Sequence, residues 1–124
     1  VKQFRVALLA NIKKNAPQFE GMAADQWDDL DSETTVMALV EALRAGGHTC
    51  EFLEGDSTLI DTLRAFKPDI CFNIAEGHFG DAREAQVPAL LEMLRIPYTG
   101  SKVMTLALAL DKPMTKRILA WHEL

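Results

Sequence analysis

No excess of positive charge is present: 13 Lys and Arg stand against 18 Asp and Glu, giving a net charge of −5 over 124 residues. The basic residues do not cluster either. This argues against a general nucleic-acid binder, whose affinity comes from many cations neutralising phosphates. Long apolar runs are missing as well. Met104–Leu110, the longest, falls far short of the roughly 20 residues needed to cross a bilayer, and the amino terminus carries no signal-peptide pattern. Cysteine is scarce. Cys50 and Cys71 are the two present, with no CxxC or Cys/His spacing for zinc. Both lie in apolar stretches of strand character, with no nearby cation or imidazole to activate a thiol, so buried free thiols in a reducing cytoplasm are expected. Repeats, low-complexity segments, a GxGxxG loop and a Walker loop are all absent, which disfavours a dinucleotide-binding domain or a P-loop enzyme.

What is there has the balance of one soluble domain, 48% apolar and 25% charged. Phe4–Ala10 reads as a strand covered on both faces. Asn11–Leu30 has no periodicity and reads as a long exposed loop. Asp31 or Ser32 then offers a cap for a helix whose inner stripe is Val36, Leu39, Val40 and Leu43, closed by Gly46-Gly47. Thr49–Leu53 alternates as a strand does. A second helix, capped by Asp56 or Ser57, carries Leu59, Ile60, Leu63 and Phe66 inward and is closed by Pro68. Ile70–Ala75 is a third strand and Glu76–Gly80 a glycine-punctuated loop, followed by a third helix marked by Val87, Leu90, Leu91 and Leu94. Strands alternating with helices at this spacing predict an α/β fold: an open, mainly parallel Rossmann-like sheet with helices on both faces. Pro97–Ser101 reads as a short extended turn. After the apolar Val103–Leu110, Asp111 caps a last helix with Pro113 in its first turn. That helix runs to Trp121 with no terminating signal before Leu124, so the carboxyl end reads as a cut.

Ligands of open parallel sheets bind at the carboxyl ends of strands. Two loops qualify: Asn11–Leu30 and Glu76–Gly80. Glu76 is suited to act as a general base or to accept a hydrogen bond from a substrate amine, against the plainer reading of a solvated or capping carboxylate. Gly77 and Gly80 permit close backbone approach. His78 reads as an ordinary surface imidazole. Lys112 is a solvated charge or, at a helix start, a phosphate contact.

Four segments taken in order, Phe72–Gly77 (FNIAEG), Arg83–Leu94, Ile96–Ser101 (IPYTGS) and Thr105–Lys112 (ending ALALDK, followed by TKRxL), resemble the D-alanine–D-alanine ligase branch of the ATP-grasp superfamily. The likeness runs from about Ile70 to the end. It implies a three-domain ligase in which ATP activates one carboxylate as an acyl phosphate for attack by an amine. In that scheme 1–100 is the pre-ATP-grasp domain and 101–124 begins the connection to an ATP-grasp domain. ATP and Mg²⁺ would be held mostly by later domains, with no metal ligand or catalytic residue expected here. Implied site residues are Glu76 and Gly77 for substrate and Lys112 for ATP phosphate. Typical members carry a histidine where this chain has Glu76. They also carry a Ser-Ala-Glu motif after strand one, whose glutamate has Asp28, Asp29, Asp31 and Glu33 as positional counterparts, Glu33 being the one assigned to substrate. The resemblance implies an amino-acid substrate and a homodimer. The rival expectation is a non-catalytic Rossmann-like or receiver-like binding domain.

Overall fold

A computed structural model describes residues 2–124. Three parallel strands, β1 (Arg5–Ala10), β2 (Thr49–Glu54) and β3 (Ile70–Asn73), lie in the order β2-β1-β3. The expected α/β architecture is present. Because strand side chains alternate, Ala7 and Leu9 face one core together with α2 (Leu59–Phe66) and α3 (Arg83–Met93). Val6, Leu8 and Ala10 face the other, where Val36 and Val40 of α1 (Glu33–Ala45) pack. Both sides of β1 are therefore buried, as its unbroken apolar run requires. Cys50 and Cys71 are free and buried in opposite layers, and burial pushes the Cys71 thiol up to about 12.

Ser32 caps α1, its Oγ accepting from the Thr35 N–H at 3.1 Å. Asp56 and Ser57 are not the cap of α2: Thr58 holds that place, and Asp56 Oδ1 instead accepts from the Thr58 N–H one step earlier. Ile60 is also not inward. It is 39% exposed, because Leu59, Leu63 and Phe66 already complete the buried stripe. β3 ends at Asn73, two residues earlier than expected, with Asn73 Oδ1 turning back to the Ala75 N–H.

Pro97–Thr99 runs parallel to β3, with Cys71 N–H donating to Pro97 O and Thr99 N–H to Cys71 O. Beyond it, α4 (Val103–Leu110) packs on α3, and α5 (Lys112–Trp121) is capped by Asp111, whose Oδ1 accepts from the Met114 N–H. No helix among the described residues is long and apolar enough to cross a membrane.

The Asn11–Leu30 segment differs from the exposed loop expected of it. It holds a small core of its own, Ala16, Trp27 and Leu30, with Met22 against it, and Trp27 is only 4% exposed. The segment leaves β1 and returns beside it, where Ile12 and Asp31 form a parallel bridge. A cluster built on one tryptophan has no period, so a search for periodicity passes over it.

Candidate functional site

The carboxyl ends of all three strands meet at one fully buried polar side chain, Asn11. Its Oδ1 accepts from the Gly77 N–H at 2.8 Å and its Nδ2 donates to Gly55 O at 3.0 Å. Nδ2 also lies 3.4 Å from His78 Nε2. The loops after β1, β2 and β3 are thus tied through one amide whose groups are all satisfied, as burial demands. Glu54, the last residue of β2, adds a second tie, accepting from the Ile12 N–H at 2.9 Å and from Asn15 Nδ2 at 2.8 Å. His78 is no ordinary surface imidazole. It is half-buried, with ring centroids 5.4 Å from Trp27 and 6.3 Å from Phe79.

Gly77 sits at φ +71°, and a Cβ there would lie 2.6 Å from the Arg83 carbonyl oxygen. That geometry belongs to glycine. Arg83, the first residue of α3, donates from Nη1 to Gly77 O at 3.0 Å and ion-pairs through Nη2 with Asp29. One guanidinium therefore fixes the Gly77 turn against the returning end of the first loop.

Glu76 lines a depression of about 310 Å³ together with Asp31, Asn73, Glu84, Gly100 and Ser101, with Leu106 of α4 at its border. Of the four acids weighed in the first loop, Asp31 alone lines this space. Asp29 is held by Arg83, Asp28 by Lys13, and Glu33 by Lys14 at the exposed start of α1. Lys112 is the first residue of α5, exposed and not among the lining residues. The structure thus gathers Glu76, Gly77 and the Gly100-Ser101 turn at one end of the sheet, and joins neither Glu33 nor Lys112 to them by any contact. Asn11 was not singled out for this site from sequence, and Arg83 and Glu84 figured only as residues just beyond the Glu76–Gly80 loop. An asparagine directly after an apolar strand was the available signal for Asn11.

Burial, and then the neighbouring Glu84 carboxylate through charge and a hydrogen bond, push the Glu76 carboxyl up to about 7, while Arg83 pulls it down. A carboxyl whose pKa rises on folding is better protonated when folded. Its stabilising contribution is whole below the unfolded value of about 4.3 and is lost as pH rises through about 7. Urea midpoints are therefore expected to fall from about pH 5 to about pH 8, and Glu76→Gln to flatten that fall. An equal slope in the variant would clear Glu76 of responsibility.

No family model matches the chain. Among curated proteins it is 39% identical over 82 residues to a D-alanine–D-alanine ligase of Moorella thermoacetica, covering 66% of this chain and 26% of that protein. It is 47% identical over 75 residues to the same-named protein of Ruegeria pomeroyi, covering 60% and 24%. With the one from Xanthomonas axonopodis pv. citri the match is 33% over 117 residues, covering 90% and 37%. The chain thus spans about a quarter to just over a third of the length of these relatives. These D-alanine–D-alanine ligase homologues at 33–47% identity, with a parallel open sheet to match, make the chain consistent with a D-alanine–D-alanine ligase-like amino-terminal domain.

Proposed function

We propose that this chain is the substrate-side domain of an ATP-dependent carboxylate–amine ligase acting on an amino acid, inactive apart from its longer parent. The observation that carries this reading is the depression at the strand ends, where Glu76 and the Gly100-Ser101 turn, from the FNIAEG and IPYTGS segments whose motifs resemble the ligases, lie side by side. Glu76 accepts hydrogen bonds from the substrate's ammonium group. A cation arriving there favours the ionised carboxylate and offsets the repulsion from Glu84. Gly77, buried next to Glu76, sets the turn that follows it, and Arg83 holds that turn still. Asp31 is a better-placed partner for the ammonium than Glu33, since it lines the same space.

Bound ATP would supply the phosphoryl group that activates a carboxylate. From this chain the fitting contact is Lys112, an exposed ammonium at the start of α5, where a point charge can meet phosphate oxygens. No group of three His, Cys, Asp or Glu side chains among the described residues is placed to hold a metal, so no step is assigned to magnesium on this chain. Residues 101–124 serve as the start of the connection to the nucleotide-binding part. A homodimer and a cytoplasmic setting complete the reading.

The test uses the full-length parent with ATP, Mg²⁺ and a panel of D- and L-amino acids. Amino-acid-dependent ADP release is expected, and its absence across the panel rejects the ligase reading. In the same assay Lys112→Ala should lower kcat/KM for ATP about tenfold or more. Unchanged kinetics would remove Lys112 from the site.

A further inference from the structure

A second cleft, of about 590 Å³, opens at the same edge of the sheet, between the Gly55–Ser57 turn, the start of α2 and α3, and shares no lining residue with the Glu76 depression. Its size falls within the roughly 300–1,000 Å³ of small-molecule sites. Two chemical characters meet in it. Leu59, Val87, Leu90 and Phe79 supply apolar surface, with the Phe79 ring 57% exposed. Asp56 supplies charge: no Lys, Arg or Glu lines the cleft. The Asp56 carboxylate is already oriented, since Oδ1 accepts from the Thr58 N–H at 2.8 Å and from the Thr58 hydroxyl at 2.6 Å. Its Oδ2 has no hydrogen-bond partner among the described residues.

We propose that this cleft binds a small organic amine, with a ring-sized apolar body against Phe79, Leu59, Val87 and Leu90 and its ammonium group on Asp56 Oδ2. A fixed carboxylate with no Lys or Arg in the lining, where His78 is the one further titratable side chain, selects positive over negative ligands, and the apolar surface selects a body over a bare ammonium ion. None of the residues used belongs to the Glu76 site, so the inference stands whether or not the parent proves to be a ligase.

The Phe79 ring centroid lies 5.9 Å from that of Trp27, which makes Trp27 a reporter of occupancy. Trp121→Phe, at a site 84% exposed on α5, leaves Trp27 as the remaining one of the two tryptophans. In that background, phenethylamine, 3-phenylpropanoate and ethylamine are titrated while Trp27 emission is followed. Phenethylamine should give a saturable change. The two other probes, one with the charge reversed and one with the ring removed, should each bind about tenfold more weakly or worse. Asp56→Asn keeps the acceptor for Thr58 and should abolish the preference for amine over carboxylate. As an independent variant, Ser57→Lys places an ammonium beside Asp56 at an exposed lining position and should weaken phenethylamine about tenfold as well. The proposal is overturned by any of three results: no saturable change with phenethylamine, equal binding of phenethylamine and 3-phenylpropanoate, or a preference that survives both variants.

Discussion

Asn11→Leu is expected to lower the stability of the chain by about 3 kcal/mol, the cost of leaving two buried backbone groups without partners. Leucine has nearly the same volume and shape, so the loss reports hydrogen bonding rather than a cavity. The Gly77 N–H would lose its acceptor and the Gly55 carbonyl its donor, in a place where the side chain that served both is wholly shielded from water. The measurement is a urea midpoint at constant m-value, accompanied by limited proteolysis of the 12–30 segment. Cleavage there should accelerate, because the loop after β3, on whose His78 and Phe79 rings Trp27 of this segment packs, loses its tie to residue 11. A loss below about 1 kcal/mol would mean that water replaces the amide at little cost.

Gly77→Ala should cost about as much or more, about 3–4 kcal/mol, for a different reason. Placing a Cβ on a left-handed residue carries an intrinsic penalty. Here the Cβ would also meet the Arg83 carbonyl oxygen at 2.6 Å, and backbone cannot step aside as a flexible side chain can. The displaced group is the first turn of α3, which carries both Arg83 and Glu84. The substitution is therefore expected to release Arg83 from Gly77 O and to shift the titration of the Glu76 carboxyl, whose charged neighbours Glu84 and Arg83 both ride on that turn. Denaturant unfolding gives the first effect and an NMR titration of the Glu76 carboxyl carbon the second. Full stability in the alanine variant would show that the loop has another conformation of similar energy.

The three-layer fold was legible because it is written in short-range patterns. Val36 and Val40 recur at helical spacing, β1 is apolar without interruption, and Ser32 stands three residues before the N–H it caps. Parallel pairing then carried the reading to the strand ends, where Glu76 and Gly77 do lie. What stayed hidden depends on contacts between residues far apart in sequence. Asn11 reaches Gly55 and Gly77, Arg83 reaches Asp29, and Trp27 buries itself against a loop that begins some fifty residues later. None of these pairs leaves a periodic trace. The exposure of Ile60 was missed for the opposite reason: it lies beside a true stripe and was counted into it, although three apolar residues already fill the face of a short helix.

The central place of β1 has a consequence for how the chain is made. The strand that leaves the ribosome before β2 and β3 is the one that needs both as neighbours: Val6 pairs with both Cys50 and Ile70. Until β3 has left the exit tunnel, a ribbon apolar from Val6 to Ala10 waits with at least one unpaired edge, the condition in which nascent chains are captured by chaperones or by one another. The charged, self-packed segment that follows β1 delays its partners further. Vectorial synthesis therefore favours completing this sheet late and all at once.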